Sequence, residues 1–194
     1  MAMEDQRYGR DKSTLVNKSY IESGEFRNKF DKVTDNTEIA RTLFSLSKEM
    51  LFHRSGTQTE DMYWLDGETG EIIAKVIDQS LNIKHKIVYT DAIKRAIRGH
   101  KNLITLHTHP SSMPPSINDF NTYHQRDYGI SLVVCHDGTI YQYKSEQWVR
   151  EKLCDMYVAG NIMEGHDEQE AQILALNKIK ENHRIDFWEV SGDE

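Results

Sequence analysis

Proline is scarce and concentrated: the 194-residue chain holds three, Pro110, Pro114 and Pro115, all in one short stretch. No proline-rich linker, low-complexity block or internal repeat is present. Cysteine is scarcer still. Cys135 and Cys154 lie in stretches that read as strand and helix, without metal-type spacing, which argues against a disulfide framework and for reduced structural thiols. No apolar run is long enough to span a bilayer, and the opening "MAMEDQRYGRDKS" lacks the apolar core of a signal peptide, so a soluble, cytoplasmic protein is expected. Basic charge is also in deficit. The formal charge of -7 disfavours a general nucleic-acid binder, which relies on Lys and Arg to neutralise phosphates.

A hydrophobic fraction of 38% and a charged fraction of 28% are polar for a globular chain yet well short of a disordered one, and the length suits one domain with a full core. Residues 1–35 read as an N-terminal extension that packs through Tyr20, Ile21, Phe26 and Phe30. From Asp35, which with Glu38 resembles a capping box, Ile39, Leu43, Leu46 and Met50 recur at helical spacing and predict a helix over residues 37–53. The stretch "EDMYWLDGETGEIIAKVID", residues 60–78, reads as a β-hairpin turning near Gly67 and Gly70. "KIVY" follows as a short strand, then a helix from Thr90 or Asp91 to Gly99, then an apolar strand through Leu103, Ile104 and Leu106. A helix is expected from Ser116, two strands around Asp137-Gly138, a helix over "SEQWVREKLCDMYVAG", and a C-terminal helical extension, residues 159–194, striped by Ala171, Ile173 or Leu174, Leu176 and Ile179. That extension would dock on the domain or on a partner. Strands interleaved with helices predict a mixed sheet flanked by helices, an α/β or α+β sandwich.

The chemistry concentrates in "HTHPSSMPPSIND", residues 107–119. Side chains two apart on a strand share a face, so His107 and His109 present two imidazoles to one point while Thr108 faces away. The prolines stiffen the loop that returns Asp119 to the same place. Two imidazoles and a carboxylate suit Zn²⁺ and leave a fourth tetrahedral position open, which marks a catalytic rather than a structural centre. Such a centre also needs a general base. Glu60, where a loop enters the strand "MYWL", is the first choice, and Glu49, inside a helical pattern, is its competitor.

This stretch resembles the JAMM (MPN-plus) zinc metalloproteases, whose signature is an upstream Glu, then H-x-H-P and S-x-x-D; the match falls on Glu60, His107, His109, Pro110, Ser116 and Asp119. The resemblance implies a curved mixed sheet between helices over residues 36–158, with a sandwich like that of the cytidine deaminases. It further implies zinc held by His107, His109 and Asp119, Glu60 as the base, Ser116 as the oxyanion stabiliser, and hydrolysis of a peptide or isopeptide bond in a protein substrate, ubiquitin-like conjugates included. One departure stands out: the loop between Pro110 and Ser116 has five residues where six are expected. A second stretch, "YGRDKSTLVNKSYIESGEFRNKFD" with "MLFHRSGTQTEDMYWLD", is similar to the C-terminal part of bacteriophage minor head proteins, which implies a bacterial or phage product, with a phage structural protein as a further class of partner and the virion as a further location.

Each reading has a plainer rival. His107 and His109 alone would read as strand-end histidines, and Ser116 with Asp119 is itself a capping box. The other histidines and Trp64, Trp148 and Trp188 read as packing or surface residues. Cys135 and His136, adjacent on a strand, point to opposite faces and form no nucleophile pair. A nucleobase deaminase would carry H-x-E and P-C-x-x-C, which are absent. Against the hydrolase stands an assembly or binding module with a structural or vestigial metal site.

Overall fold

The computed structural model describes residues 14–192. Six strands, β1 (Met62–Asp66), β2 (Ile72–Val76), β3 (Leu103–His109), β4 (Ile130–Cys135), β5 (Ile140–Ser145) and β6 (Ile185–Glu189), form one open sheet in the order β2-β1-β3-β4-β5-β6. β3 and β4 run parallel and all other neighbours antiparallel. Around the sheet lie α1 (Lys18–Ile21), α2 (Gly24–Asp31), α3 (Thr37–Arg54), α4 (Asp91–Ala96), α5 (Ile117–Arg126), α6 (Glu151–Met163) and α7 (Glu168–Lys180). The mixed α/β class expected from the sequence is therefore the observed one. A parallel pair requires a crossover, and α5 supplies it between β3 and β4.

Alternation along β3 divides the molecule. Ile104 and Leu106 face one core with Phe26 and Phe30 of α2 and with Leu43 and Met50 of α3. Leu103 faces the opposite side, where Trp64 and Tyr128 pack, and next to it lies a third cluster built on Ile117 and Phe120 of α5, Val133 of β4, and Leu176 and Ile179 of α7. Each of these fully buried aliphatic or aromatic side chains contributes roughly 1.5–3 kcal/mol by leaving water. His107 lies on this second face. α3 is on the first.

Several local expectations need correction. The cap of α3 is Asn36, whose Oδ1 accepts from the N–H groups of Glu38 and Ile39, rather than an Asp35–Glu38 box. "KIVY" is not a strand: the amide of Gln79 donates to the Lys86 carbonyl (2.7 Å) and accepts from the Val88 N–H (2.9 Å), taking the place of a neighbouring strand. Its alternation reflects packing, since Ile87 and Tyr89 rest on the cluster around Trp64. The helix read over 145–160 begins only at Glu151, because Asn121 grips both the N–H and the C=O of Val149 (2.8 and 2.9 Å) and holds that segment out of helical geometry. The C-terminal segment is not helical throughout: after α7 it adds β6 to the edge of the sheet, pairing Phe187 with Tyr143. Of the N-terminal extension, the described part packs as expected through Ile21, Phe26 and Phe30, while residues 1–13 lie outside the described residues.

Candidate metal centre

β3 carries its histidines at its carboxyl end, where the chain leaves the sheet for the proline loop and α5. Ser116 caps α5. Its Oγ accepts from the Asp119 N–H (3.3 Å), while one Asp119 oxygen, Oδ2, accepts from both the backbone N–H and the Oγ–H of Ser116 (2.7 Å each). This reciprocal box fixes the carboxylate against the strand end. The plainer reading of S-x-x-D, a capping box, is the observed one, and the same box leaves Asp119 beside both histidines.

The Nε2 atoms of His107 and His109 stand 3.3 Å apart, and Asp119 oxygens lie 3.6 Å from the first and 3.7 Å from the second. The last two distances exceed hydrogen-bonding range, so the carboxylate does not satisfy the imidazoles directly. His109 Nδ1 lies 3.0 Å from the Met113 carbonyl, an acceptor only, so Nδ1 carries the proton and Nε2 is bare. His107 Nδ1 is buried without a bond of good geometry, although the Leu132 carbonyl is near enough to favour the protonated ring. A proton on that nitrogen leaves the second Nε2 bare as well. The two Nε2 atoms are within hydrogen-bonding range of each other, so the pair is satisfied either by one proton shared between them, from the other His107 tautomer, or by a cation held with Asp119.

The spacing fits one. Zinc–nitrogen bonds of about 2.0–2.1 Å at tetrahedral angles place two donor nitrogens about 3.3–3.4 Å apart, and a carboxylate oxygen about as far again. Among the described residues this is the one group of three or more His, Cys, Asp or Glu side chains whose donor atoms converge in this way, all within 4.8 Å of one another. Burial is graded, with the side chains of His107, His109 and Asp119 exposed by 3%, 11% and 23%, so the cluster opens to solvent from the Asp119 side. Burial also pushes His107 down to about 4, with the Asp119 charge opposing, and a neutral imidazole is the form that binds metal.

Sheet register places Glu60. Met62 pairs with His107, and the Thr108 N–H donates to the Asp61 carbonyl (3.0 Å), so the pairing of β1 with β3 continues past the start of β1. One more step sets Glu60 level with His109. Its side chain is buried, 5% exposed, and lines the same cavity as the three donors. Asp61, pointing to the other face, is held by Arg54 and His53 (2.6 Å each). Glu49 goes to that other face too: it accepts from the Tyr63 hydroxyl (3.1 Å) and lines a separate pocket with His53 and Asp61. The competitor for the base is thereby separated from the histidines by the sheet.

The cavity holds about 730 Å³. Met62 and Tyr89 form part of one wall, and Cys154, Val158 and Ile162, at helical spacing along α6, form part of another. Tyr143 closes the floor, edge-on to both His107 and Phe120. The sequence had shown α6 as a helix without revealing which face it turned inward. Further contributors carried no sequence signal at all. Gln169 and Gln172 of α7 bond to the proline loop at Ser112 and Pro115, more than fifty residues away along the chain.

These features define a class: an open mixed α/β sheet with a convergent His–His–carboxylate centre at a strand's carboxyl end and a buried glutamate beside it. Comparison with protein-family models, curated proteins and solved structures gives no match for this chain. No helix among the described residues is long and apolar enough to cross a membrane.

Proposed function

We propose that this protein is a zinc-dependent amide hydrolase of JAMM type acting on a protein or peptide chain. The observation that carries the reading is the 3.3 Å approach of the two Nε2 atoms with Asp119 beside them and buried Glu60 in the same cavity. His107, His109 and Asp119 would hold the ion. When bound, zinc supplies Lewis acidity, polarising a carbonyl and making a water easier to deprotonate. Glu60 takes the water's proton and passes it to the leaving amine, a task for a carboxylate screened from bulk solvent. Ser116 acts first through Asp119, whose Oδ2 it holds with two donors; an oxyanion contact from the same hydroxyl requires its proton to leave that carboxylate.

The test is metal content by elemental analysis of protein purified without added zinc, with Asp119→Ala and Glu60→Gln prepared in parallel. About one zinc per chain is expected in the wild type and in Glu60→Gln, and little in Asp119→Ala. A wild type that takes up no zinc after reloading would leave the cap as the sole role of the motif and favour an assembly module. Against a panel of peptide and isopeptide substrates, Glu60→Gln should lose turnover while Glu49→Gln retains it. Retained turnover in Glu60→Gln would remove the base assignment.

A further inference from the structure

We infer that Gln169, on a helix remote in sequence from the metal motif, is a positioning residue that sets the tautomer of His109 and so tunes the metal centre; this rests on the ligand reading above. The chain of contacts is short. The side-chain amide of Gln169 accepts from the Ser112 Oγ–H (2.9 Å) and donates through Nε2 to the Ser112 carbonyl (2.9 Å), gripping one residue at two points. The next residue, Met113, offers the carbonyl that takes the His109 Nδ1 proton. Because a planar amide fixes both distance and orientation, the Gln169 clamp decides where the following peptide unit points.

Further bonds hold the loop, the His109 Nδ1 bond to the Met113 carbonyl (3.0 Å) among them. The Tyr141 hydroxyl reaches the Ser112 carbonyl at 3.5 Å, Cys135 Sγ the Met113 carbonyl at 3.5 Å, and Gln172 the Pro115 carbonyl at 3.3 Å. Gln169 thus holds Ser112 by two bonds of 2.9 Å from one planar amide. A neutral imidazole has one proton to place, and only an acceptor at Nδ1 leaves Nε2 free toward His107. Without the clamp, the Met113 carbonyl loses its fixed direction and His109 samples both tautomers. Ser112 is 7% exposed, so water replaces the missing partner poorly.

Two readouts test this, one independent of any metal. In the metal-free protein, long-range proton–nitrogen NMR of the imidazoles should show His109 as a single Nδ1-protonated tautomer in the wild type and a mixture of tautomers in Gln169→Leu. On metal addition, competition with a chromophoric chelator should show zinc affinity reduced about tenfold in Gln169→Leu, at the lower end of what loss of an outer partner costs. The cobalt-substituted variant should show an altered visible spectrum. Gln169→Glu keeps the acceptor for Ser112 and loses the donor, so it should fall between the two and serves if Gln169→Leu does not fold. An unchanged His109 tautomer in a folded variant overturns the inference. If the wild type binds no metal but the tautomer shifts, the ligand reading fails and the positioning role stands; if the wild type binds metal and the variants match it in tautomer and affinity, the positioning role alone fails.

Discussion

His109 donates from Nδ1 to the main-chain carbonyl of Met113, 3.0 Å away, and this bond turns its other nitrogen toward His107. Both Nε2 atoms thereby face one point, and burial pushes His107 down to about 4.

The titration of His107 should be visible in stability. Burial lowers it to about 4 from the ordinary 6.5, so between those values the unfolded chain binds a proton that the native chain does not. Metal-free protein should be fully stabilised above about pH 6.5 and lose about 3 kcal/mol as the pH falls toward 4. Urea titrations at several pH values, compared with His107→Gln, measure the difference. His136, also lowered by burial, leaves a residual slope in both proteins. Parallel stability curves for wild type and His107→Gln would refute the assignment.

Ser116→Ala separates capping from catalysis. The change removes the Oγ contacts with Asp119 but keeps the backbone N–H bond to Oδ2 (2.7 Å). Stability should fall by about 1 kcal/mol, the usual cost of a lost cap. Zinc affinity should fall less than tenfold, since one donor still orients the Asp119 oxygen. A complete loss of zinc would show that the hydroxyl, rather than the backbone, sets the carboxylate.

Arg54→Leu should be among the most damaging single changes outside the centre. Arg54 Nε donates to Asp61 (2.6 Å) and its guanidinium also donates to the Ile77 carbonyl (2.7 Å), with the Arg54 and Asp61 side chains only 4% and 1% exposed. Burial already pushes the Asp61 carboxyl up, and removing Arg54 leaves His53 as its main counterweight. The expected loss is about 3–5 kcal/mol by denaturant unfolding. Adding Asp61→Asn should recover part of it. A loss below about 1 kcal/mol would mean that water reaches Asp61.

The amino-acid order by itself determined the local elements and the spacing of the histidine motif. Period-two spacing put His107 and His109 on one face of a strand, helical spacing set α3, and S-x-x-D capped α5 at Ser116, because these patterns depend on neighbours a few residues apart. Tertiary structure decided the rest. Which glutamate joins the histidines depends on the register of β1 against β3 and on the side of the sheet α3 occupies, neither of which is encoded near Glu60 or Glu49. "KIVY" has the alternation of a strand, yet Gln79 takes the place of a pairing partner, while "IDFWE" becomes one because the β5 edge stands open to it. The hold of Gln169 on Ser112 spans 57 residues of chain and exists only once α7 has packed, because a side-chain hydrogen bond at that separation follows from burial rather than from local pattern.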